Sequence, residues 1–542
     1  MMIKRVVASI ALTLILCATS FAQVHTLTKE DVKFDVESGS IVSYVADYDS
    51  IFIPPSIDGV TVCDIGTGAF LAKGIKKLEL PLTLKTIGIV AFSRNSIDTL
   101  TIPDNVECIG GAAFQFAGLR YLTLPQNIKH IGGGAFSDNE ILTVEIPSSL
   151  DTIRGFAGAG IREVTIPSTV SVVDSDAFAM NHFDKITIKE GVRKIGYYAF
   201  GVEKTRVESD LPPLPDDPHI SSLQIPSTVT DIGDFAFLRQ RSIHTLTLKD
   251  GLVNIGKQSF FFNHIDTLII PSTVERIGEQ AFMSNWMDSL LLGSGVSSLG
   301  KEAFCGNFLR YVNYPPKLST LPAGCFSGNQ LTEADIPSTV TAIGDECFAY
   351  NKISKVKVPG TVDEIGSGAF SYNVELTSVT LGEGVTTIGE YAFAYCCDMS
   401  NVNDRVGTLS LPSTLREIKP NAFYRTYITP TRLPQYNADK TKELVWYKYD
   451  GTRDNVTGEV ETIGNAGFAY YDSQLGFYAV EKDAEQPPAA LVSPGCDDAD
   501  TVYSVYDISG RFVGRGKSRD INLPKGLYVL RCNGTSRKIV VE

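Results

Sequence analysis

A phenylalanine, usually preceded by alanine, recurs at a nearly fixed interval along most of this 542-residue chain. The members of the series are Phe70, Phe92, Phe114, Phe136, Phe156, Phe178, Phe200, Phe237, Phe260, Phe282, Phe304, Phe326, Phe348, Phe370, Phe393 and Phe423. Ten of the fifteen intervals between them are 22 residues. Such a period indicates one small supersecondary unit stacked on copies of itself, because a unit this short cannot bury its apolar side alone.

Apolar residues fall at fixed offsets after each phenylalanine. After Phe92 they are Ile97, Leu100, Ile102, Val106 and Ile109. Positions +8 and +10 share one face of a strand, since side chains alternate along it, so we expect position +9 to face solvent. Pro103 at +11 ends the strand because proline cannot donate to a ladder. Gly110 at +18 is expected to permit the turn back to the next Ala-Phe pair.

The segment from Ile270 to Phe282 reads I-P-S-T-V-E-R-I-G-E-Q-A-F, and Ile336 to Phe348 repeats it with Cys347 in the alanine position. This pattern resembles the BspA-type leucine-rich repeat of bacterial surface proteins, over roughly residues 50–425. The resemblance implies a leucine-rich-repeat solenoid of about 22-residue coils, α/β to mainly β, with a parallel sheet on its concave face. Capping segments and a small C-terminal β-sandwich complete the predicted fold.

Three residues after the phenylalanine, where many members of that family have cysteine, this chain mostly has asparagine. The column consists of Asn95, Asn139, Asn181, Asn263, Asn285, Asn307, Asn329, Asn351 and Asn373, and Cys396 keeps the thiol. Asparagine readily bonds the backbone of turns. We therefore interpret the column as a structural ladder inside the bend.

Composition excludes one class of partner. The net charge is -14 with 20% charged residues and no stripe of lysine and arginine, so nucleic-acid binding is not expected. The start of the chain, residues 1–22, carries Lys4-Arg5 and then an apolar run, which is typical of a secretory signal peptide. Cys17 leaves a lipid-anchored form as an alternative.

The remaining chain divides by its pattern into a series of regions. Residues 23–60 are predicted to form an N-terminal cap, 61–429 the solenoid, 430–482 a C-terminal cap and 483–500 a linker. Insertions at 201–220 and 396–407 break the period, and each is either a recognition loop or surface decoration. Residues 501–542 form short strands with glycine turns, and their D-x-S-G-R turn resembles the sorting domain of the type IX secretion system. That resemblance implies interaction with the secretion machinery and delivery to the cell surface.

The cysteines leave alternatives open. Of the ten cysteines, Cys17 lies in the leader, so nine remain, an odd number for an exported chain. Cys325 and Cys347 occupy the alanine position one coil apart, which suits either buried packing or a disulfide. The adjacent Cys396-Cys397 pair is either reactive or buried. The cysteines and histidines show no Cys-x-x-Cys pair and no other spacing that is typical of a zinc site.

No catalytic, cofactor or metal-binding motif is present. The solvent-facing strand column is rich in threonine and has no neighbouring acidic pair, so a glycosidase-like site has no place there. The six histidines are scattered. Metalloprotease, hydrolase, Walker and calcium-loop motifs are not found, and we expect no enzyme activity, no cofactor and no metal site.

One group of apolar residues interrupts the polar surface. Four residues after the phenylalanine, successive coils carry His264, Trp286 and Phe308. The same region of the strand column holds Ile269 and Leu291, and Tyr311 follows one coil later. Exposed neighbouring aromatics are typical of contact sites, although the alternative is that they fold inward as packing.

These features predict a secreted or cell-surface binding protein, adhesin-like, that recognises protein or glycan partners through the solenoid. Relatives that the repeat resembles are implicated in adhesion to host matrix proteins and other bacteria. The alternative is a non-catalytic structural or coat component of the envelope. The predicted location is the extracellular space or outer surface of a Gram-negative bacterium, or the periplasm if the tail does not support export.

Overall fold

The fold is taken from a computed structural model that describes the repeat region nearly continuously. The described residues are 24–202, 220–240, 243–396, 408–426, 431–448, 459–460, 476–481, 502–507, 512–517, 526–532 and 535–541. Two compact units are present, residues 1–319 with 325–331 and residues 320–324 with 332–542. The architecture is a mainly β solenoid of about 16 coils of about 22 residues each, which confirms the predicted fold class.

Most coils contribute a strand to a first ladder at offsets of about +7 to +10. In the first unit these strands are His25–Thr26, Ser50–Phe52, Lys77–Glu79, Thr99–Thr101, Tyr121–Thr123, Glu163–Ile166, Lys185–Ile188, Ser222–Ile225, Thr245–Leu248, Thr267–Ile269 and Ser289–Leu291. In the second unit they are Glu333–Asp335, Lys355–Val358, Ser378–Leu381 and Thr408–Ser410. Paired strands are parallel and one repeat apart in register, as in Thr101↔Thr123. The +8 side chain is buried and the +9 side chain exposed, as Leu100 and Thr101 show, which confirms the predicted alternation.

A second parallel ladder, which the sequence pattern did not predict, is built around the Ile-Gly dipeptide. In the first unit its strands are Ser40–Tyr44, Asp64–Ile65, Thr86–Ile87, Cys108–Ile109, His130–Ile131, Thr152–Ile153, Val172–Val173, Lys194–Ile195, Asp231–Ile232, Asn254–Ile255, Arg276–Ile277 and Ser298–Leu299. In the second unit they are Thr320–Leu321, Ala342–Ile343, Glu364–Ile365, Thr387–Ile388 and Glu417–Ile418. The two ladders give each coil two strand-like sides, with the apolar core between them.

The repeated phenylalanines form a continuous stack within each unit. Neighbouring ring centroids lie between 4.9 Å, for Phe70 and Phe92, and 5.9 Å, for Phe304 and Phe326. In the second unit Phe348 stacks on Phe370 at 5.4 Å with an interplanar angle of 4°. These side chains are fully buried, so their contribution is both apolar burial and ring contact.

The asparagine column lies directly beside this stack and satisfies the backbone of the bend. The side-chain amide of Asn181 donates to the carbonyls of Phe156 at 2.8 Å and Phe178 at 2.9 Å. Its Oδ1 accepts from the backbone N–H of Ile161 at 2.9 Å. In the cysteine variant of the column, the Cys396 thiol donates to the Phe370 carbonyl at 3.1 Å. The predicted structural ladder is therefore present, and members such as Asn181 and Cys396 bond the backbone of a neighbouring coil.

The glycine at +18 is required for a different reason from the one that the sequence suggested. Gly256 has no left-handed backbone, but a Cβ there would lie 2.5 Å from the carbonyl carbon of Gly233 in the preceding coil. The left-handed residues lie instead two positions before and after the phenylalanine, as at Gln258 and Phe262 around Phe260. Glycine at +18 thus permits the close approach of neighbouring coils rather than the turn itself.

The N-terminal residues form an antiparallel extension of the second ladder. Val32–Asp35 pairs with Ser40–Tyr44, which in turn pairs in parallel with Asp64–Ile65. The 3₁₀ turn Lys29–Asp31 precedes them and is the single helical element among the described residues. A short hairpin, Ser56–Ile57 with Val60–Thr61, follows. This is the region predicted to act as the N-terminal cap.

At the other end, Phe477–Glu481 pairs antiparallel with both Glu417–Ile418 and Leu444–Lys448. Thr431–Arg432 pairs with Glu459–Val460. The tail forms one antiparallel sheet, whose strands in order are Phe512–Lys517, Val502–Asp507, Gly526–Cys532 and Thr535–Val541.

The predicted leader, the linker and nearly all of both insertions lie outside the described residues. No helix of the described chain is long and apolar enough to cross a membrane.

The asparagine column gives the first testable prediction. Replacement of Asn181 by alanine removes the hydrogen bonds to the buried Ile161 N–H and the Phe178 carbonyl and one of the two bonds to the Phe156 carbonyl. We therefore expect the free energy of unfolding to fall by about 2–3 kcal/mol. Asn181→Cys should lose less, because the thiol can donate as Cys396 does. Urea unfolding followed by circular dichroism measures both.

Asn127, an exposed asparagine outside the column, supplies the control. Asn127→Ala should change the unfolding free energy by no more than about 0.5 kcal/mol. Equal losses in Asn127→Ala and Asn181→Ala would contradict a special structural role for the column.

Candidate functional site

Three ring side chains occupy the position four residues after a core phenylalanine in adjacent coils of the first unit. Trp286 and Phe308 are each 47% exposed. His264 is half-buried, and its ring stacks on the Trp286 indole with centroids 4.0 Å apart and an interplanar angle of 15°. Trp286 and Phe308 therefore do not fold into the core.

Trp286 and Phe308 line a shallow surface depression together with polar side chains that the sequence analysis did not select. The polar residues are Asp266, Asp288, Arg310 and Gln330. Their positions in the repeat could have identified them from the sequence, because the first three lie six residues after the core phenylalanine in successive coils. Gln330 occupies position +4, directly after Phe308 in the same column.

The asparagine column fixes the backbone beneath this depression. Asn285 precedes Trp286, and the buried Met287 follows it and donates its N–H to Asn307 Oδ1 at 3.2 Å. Leu309 donates to Asn329 Oδ1 in the same way at 3.0 Å. Since buried and exposed residues alternate through this bend, the aromatic side chain is held outward by the packing of its neighbours.

The charges of the depression are only partly paired. His244 Nδ1 lies 3.5 Å from a carboxylate oxygen of Asp266, an ion pair when the histidine is protonated. The His244 ring also meets the Trp286 ring edge-on, with centroids 6.1 Å apart. Within the described part of the chain, the side chains of Asp288 and Arg310 make no hydrogen bond or ion pair. Both are exposed and available to a ligand.

The remaining predicted residues lie on the strand face and do not line the depression. Ile269 and Leu291 are register partners in the first ladder, 66% and 52% exposed. Tyr311, in the next coil, is 72% exposed. The ladder stops there, and the side chain of Asn313 instead bonds the backbone N and O of Leu292 at 2.8 Å and 2.7 Å. Of the six predicted residues, the structure thus places two in the depression and three on the strand face, while His264 stacks on Trp286 without lining the depression.

A row of tyrosines in the second unit was not predicted. Tyr350, Tyr372 and Tyr395 lie two residues after successive core phenylalanines, and their rings stack at 4.4 Å and 4.5 Å. The recurrence of tyrosine two residues after the core phenylalanine could have identified this row from the sequence. Because the ring faces cover one another, mainly edges remain accessible, and we interpret the row as packing between coils.

Among the residues that the structure describes, the cysteines and acidic residues form no assembled chemical site. Cys325 and Cys347 are both buried and neither is in a disulfide, in agreement with the packing alternative. Cys396 is buried in the asparagine column, and Cys397 lies outside the described residues. Across the described ranges no three His, Cys, Asp or Glu side chains are grouped so that they could hold a metal ion.

Comparison with family models matches most of the chain to one repeat family. Residues 48–155, 154–209, 216–331, 276–400 and 401–481 match the model described as BspA type leucine rich repeat region (6 copies). None of the curated proteins compared with the chain matches it.

Several solved structures are similar to this chain at low sequence identity. A leucine-rich repeat protein from Bacteroides ovatus is 19% identical, with 66% of this chain and 88% of that chain covered and a TM-score of 0.48. A leucine rich cell surface protein from Faecalibacterium prausnitzii is 21% identical, with 70% and 96% covered and a TM-score of 0.39. The pneumococcal vaccine antigen PcpA is 16% identical, with 73% and 83% covered and a TM-score of 0.32.

The exposure of Trp286 can be tested with its fluorescence. The chain has two tryptophans, and the other, Trp446, is 2% exposed and donates its indole N–H to the Pro434 carbonyl at 2.7 Å. We therefore expect Trp286→Phe to remove most of the acrylamide-quenchable emission. Emission that is equally quenchable in the variant would show that Trp286 is covered in solution.

Proposed function

This chain belongs to the BspA-type leucine-rich repeat family, and we propose that it is an exported, surface-displayed binding protein of the adhesin class. Proteins of this repeat family are typically non-catalytic. The observation that carries the proposal is the break in a polar surface where Trp286 and Phe308 line a depression beside the exposed Ile269 and Leu291. Exposure of apolar groups to water is unfavourable, and burying them against a partner lowers the free energy.

The two groups supply different parts of a contact. The strand face offers aliphatic area, since Ile269 and Leu291 lie side by side on paired strands. The depression offers aromatic rings with charged neighbours, which give direction to a bound partner. A partner that covers both would bury the aromatic side chains at its centre, which is where binding energy concentrates.

The predicted leader and the resemblance of the tail to a sorting domain support a location at the cell surface. The tail strands form an antiparallel sheet, which is compatible with a separately read export module. Net charge of -14 and the absence of a basic stripe direct the proposal away from nucleic acid.

The binding proposal predicts the behaviour of two variants. The mature chain, residues 23–542, should bind at least one matrix protein or glycan on an array with saturable kinetics. Trp286→Ala should weaken that binding by about thirtyfold, as expected for an aromatic anchor. Leu291→Asp should weaken it by about tenfold, because a carboxylate would be buried in the apolar contact.

Matched controls exist on the same chain. Tyr372→Ala removes an exposed ring from the second unit, and Leu82→Asp introduces a charge at a leucine that is 73% exposed. Both controls should bind as the parent does. Binding retained by Trp286→Ala and Leu291→Asp would remove the proposed face. The absence of any saturable partner would favour a structural envelope component instead.

The export proposal is tested separately. In a bacterium that has a type IX secretion system, deletion of residues 501–542 should keep the chain in the periplasm. Digestion of intact cells with proteinase K, followed by immunoblotting, measures the exposed fraction. Equal protease sensitivity of the full and truncated chains would contradict a sorting role for the tail.

A further inference from the structure

We propose that the depression between Trp286 and Phe308 binds a pyranose ring of a neutral glycan. The inference rests on the proposed function, since it specifies the chemistry that the same face recognises. It selects a glycan as the ligand, whereas the repeat family and the strand face are equally compatible with a protein or a glycan.

The aromatic rings are arranged so that one indole face is left for a ligand. His264, in the preceding coil, covers one face of Trp286 at 4.0 Å. Phe308 is in the following coil and lines the depression, whereas His264 does not. The open indole face is therefore on the Phe308 side. The C–H groups of a pyranose form an apolar face with slight positive charge, which packs favourably on the negative face of an aromatic ring.

The polar side chains match the hydroxyl groups at the rim of such a ring. The carboxylate of Asp288 can accept two O–H bonds, and the guanidinium of Arg310 can donate two N–H bonds in one plane. Gln330 adds one acceptor and two donors. Neighbouring hydroxyls of a sugar are spaced for such paired bonds, and hydrogen bonds to charged groups are the stronger kind.

The balance of charge favours a neutral ligand. Two carboxylates, Asp266 and Asp288, line the depression against one guanidinium, Arg310. His244 lies beside Asp266 but does not line the depression. The whole chain carries -14, so sialylated or sulfated glycans would meet repulsion both locally and at long range.

The same lining is less suitable for the core of a protein interface. Such cores are depleted of charged residues, and three of the six lining residues here are charged. The depression is open and shallow, so it offers an anchor side chain little enclosure. An aromatic surface with planar polar groups around it instead fits a ring that is apolar on its face and polar at its edge.

The test uses the mature chain and a panel of hexasaccharides of glucose, mannose, galactose and N-acetylglucosamine, with sialyllactose and heparin as anionic probes. Titration calorimetry should show that the mature chain binds at least one neutral hexasaccharide. The chain should bind that hexasaccharide more tightly than either anionic probe. Addition of that hexasaccharide should protect the Trp286 emission from acrylamide. Trp286→Ala should weaken its binding at least about tenfold.

The remaining variants compare a polar residue that lines the depression with an exposed residue elsewhere on the first unit. Asp288→Asn keeps the shape but removes charge and one acceptor pair, and should weaken hexasaccharide binding about fivefold. Leu82→Asp, at an exposed leucine outside both the depression and the strand face, should leave hexasaccharide binding unchanged. Circular dichroism of each variant confirms that it is folded.

The outcomes separate the two proposals. Tighter binding of sialyllactose or heparin than of every neutral hexasaccharide overturns the neutral-glycan inference. Saturable binding of a matrix protein that depends on Trp286, with no hexasaccharide bound, also overturns it but leaves the binding function standing. The loss of both, with no saturable ligand of any kind, overturns the inference and the proposed function together.

Discussion

The structure depends on how buried backbone groups are satisfied at the bend beside the phenylalanine stack. In the described coils the backbone bends beside the core without forming a helix. The carbonyl and N–H groups of the bend would therefore be buried without hydrogen-bond partners, at a cost of about 1–3 kcal/mol each. The asparagine column removes that cost. The Asn181 side chain donates to the phenylalanine carbonyls of its own coil and of the preceding coil, and it accepts from a backbone N–H of the preceding coil. The phenylalanine stack supplies apolar burial, and the asparagines make that burial compatible with a bent backbone.

The candidate site is a consequence of the same interaction. Asn285 and Asn307 are followed directly by Trp286 and Phe308, and the asparagine bonds hold the backbone on both sides of each aromatic residue. A binding surface on this fold therefore needs no special loop. It needs only a different side chain at a position where the packing of the neighbouring residues already holds the side chain outward.

Much of this arrangement could be predicted from the repeat, and the exceptions have physical causes. The buried phenylalanines, the asparagine ladder, the exposed +9 column and the packed Cys325 and Cys347 follow from periodicity. The prediction for the +18 glycine was wrong, since the sequence shows that a small residue is needed but not that, at Gly256, the backbone of the preceding coil would lie 2.5 Å from an added Cβ. The second ladder was not predicted because all of its strands after Ser40–Tyr44 are only two residues long. Such strands show no alternation to detect.

The sequence by itself determined the coil length, the residues of the core and the columns in which every surface residue lies, because a strict period leaves one register in which the apolar positions can stack. Only the tertiary structure decided which columns meet. Asp266, Asp288, Arg310 and Gln330 join Trp286 and Phe308 in one depression, whereas Ile269 and Leu291 remain outside it. The physical reason is that the offset of a residue in the repeat fixes which column it occupies, but not the direction in which its side chain points. The direction of each side chain follows from the bend that the asparagine bonds impose.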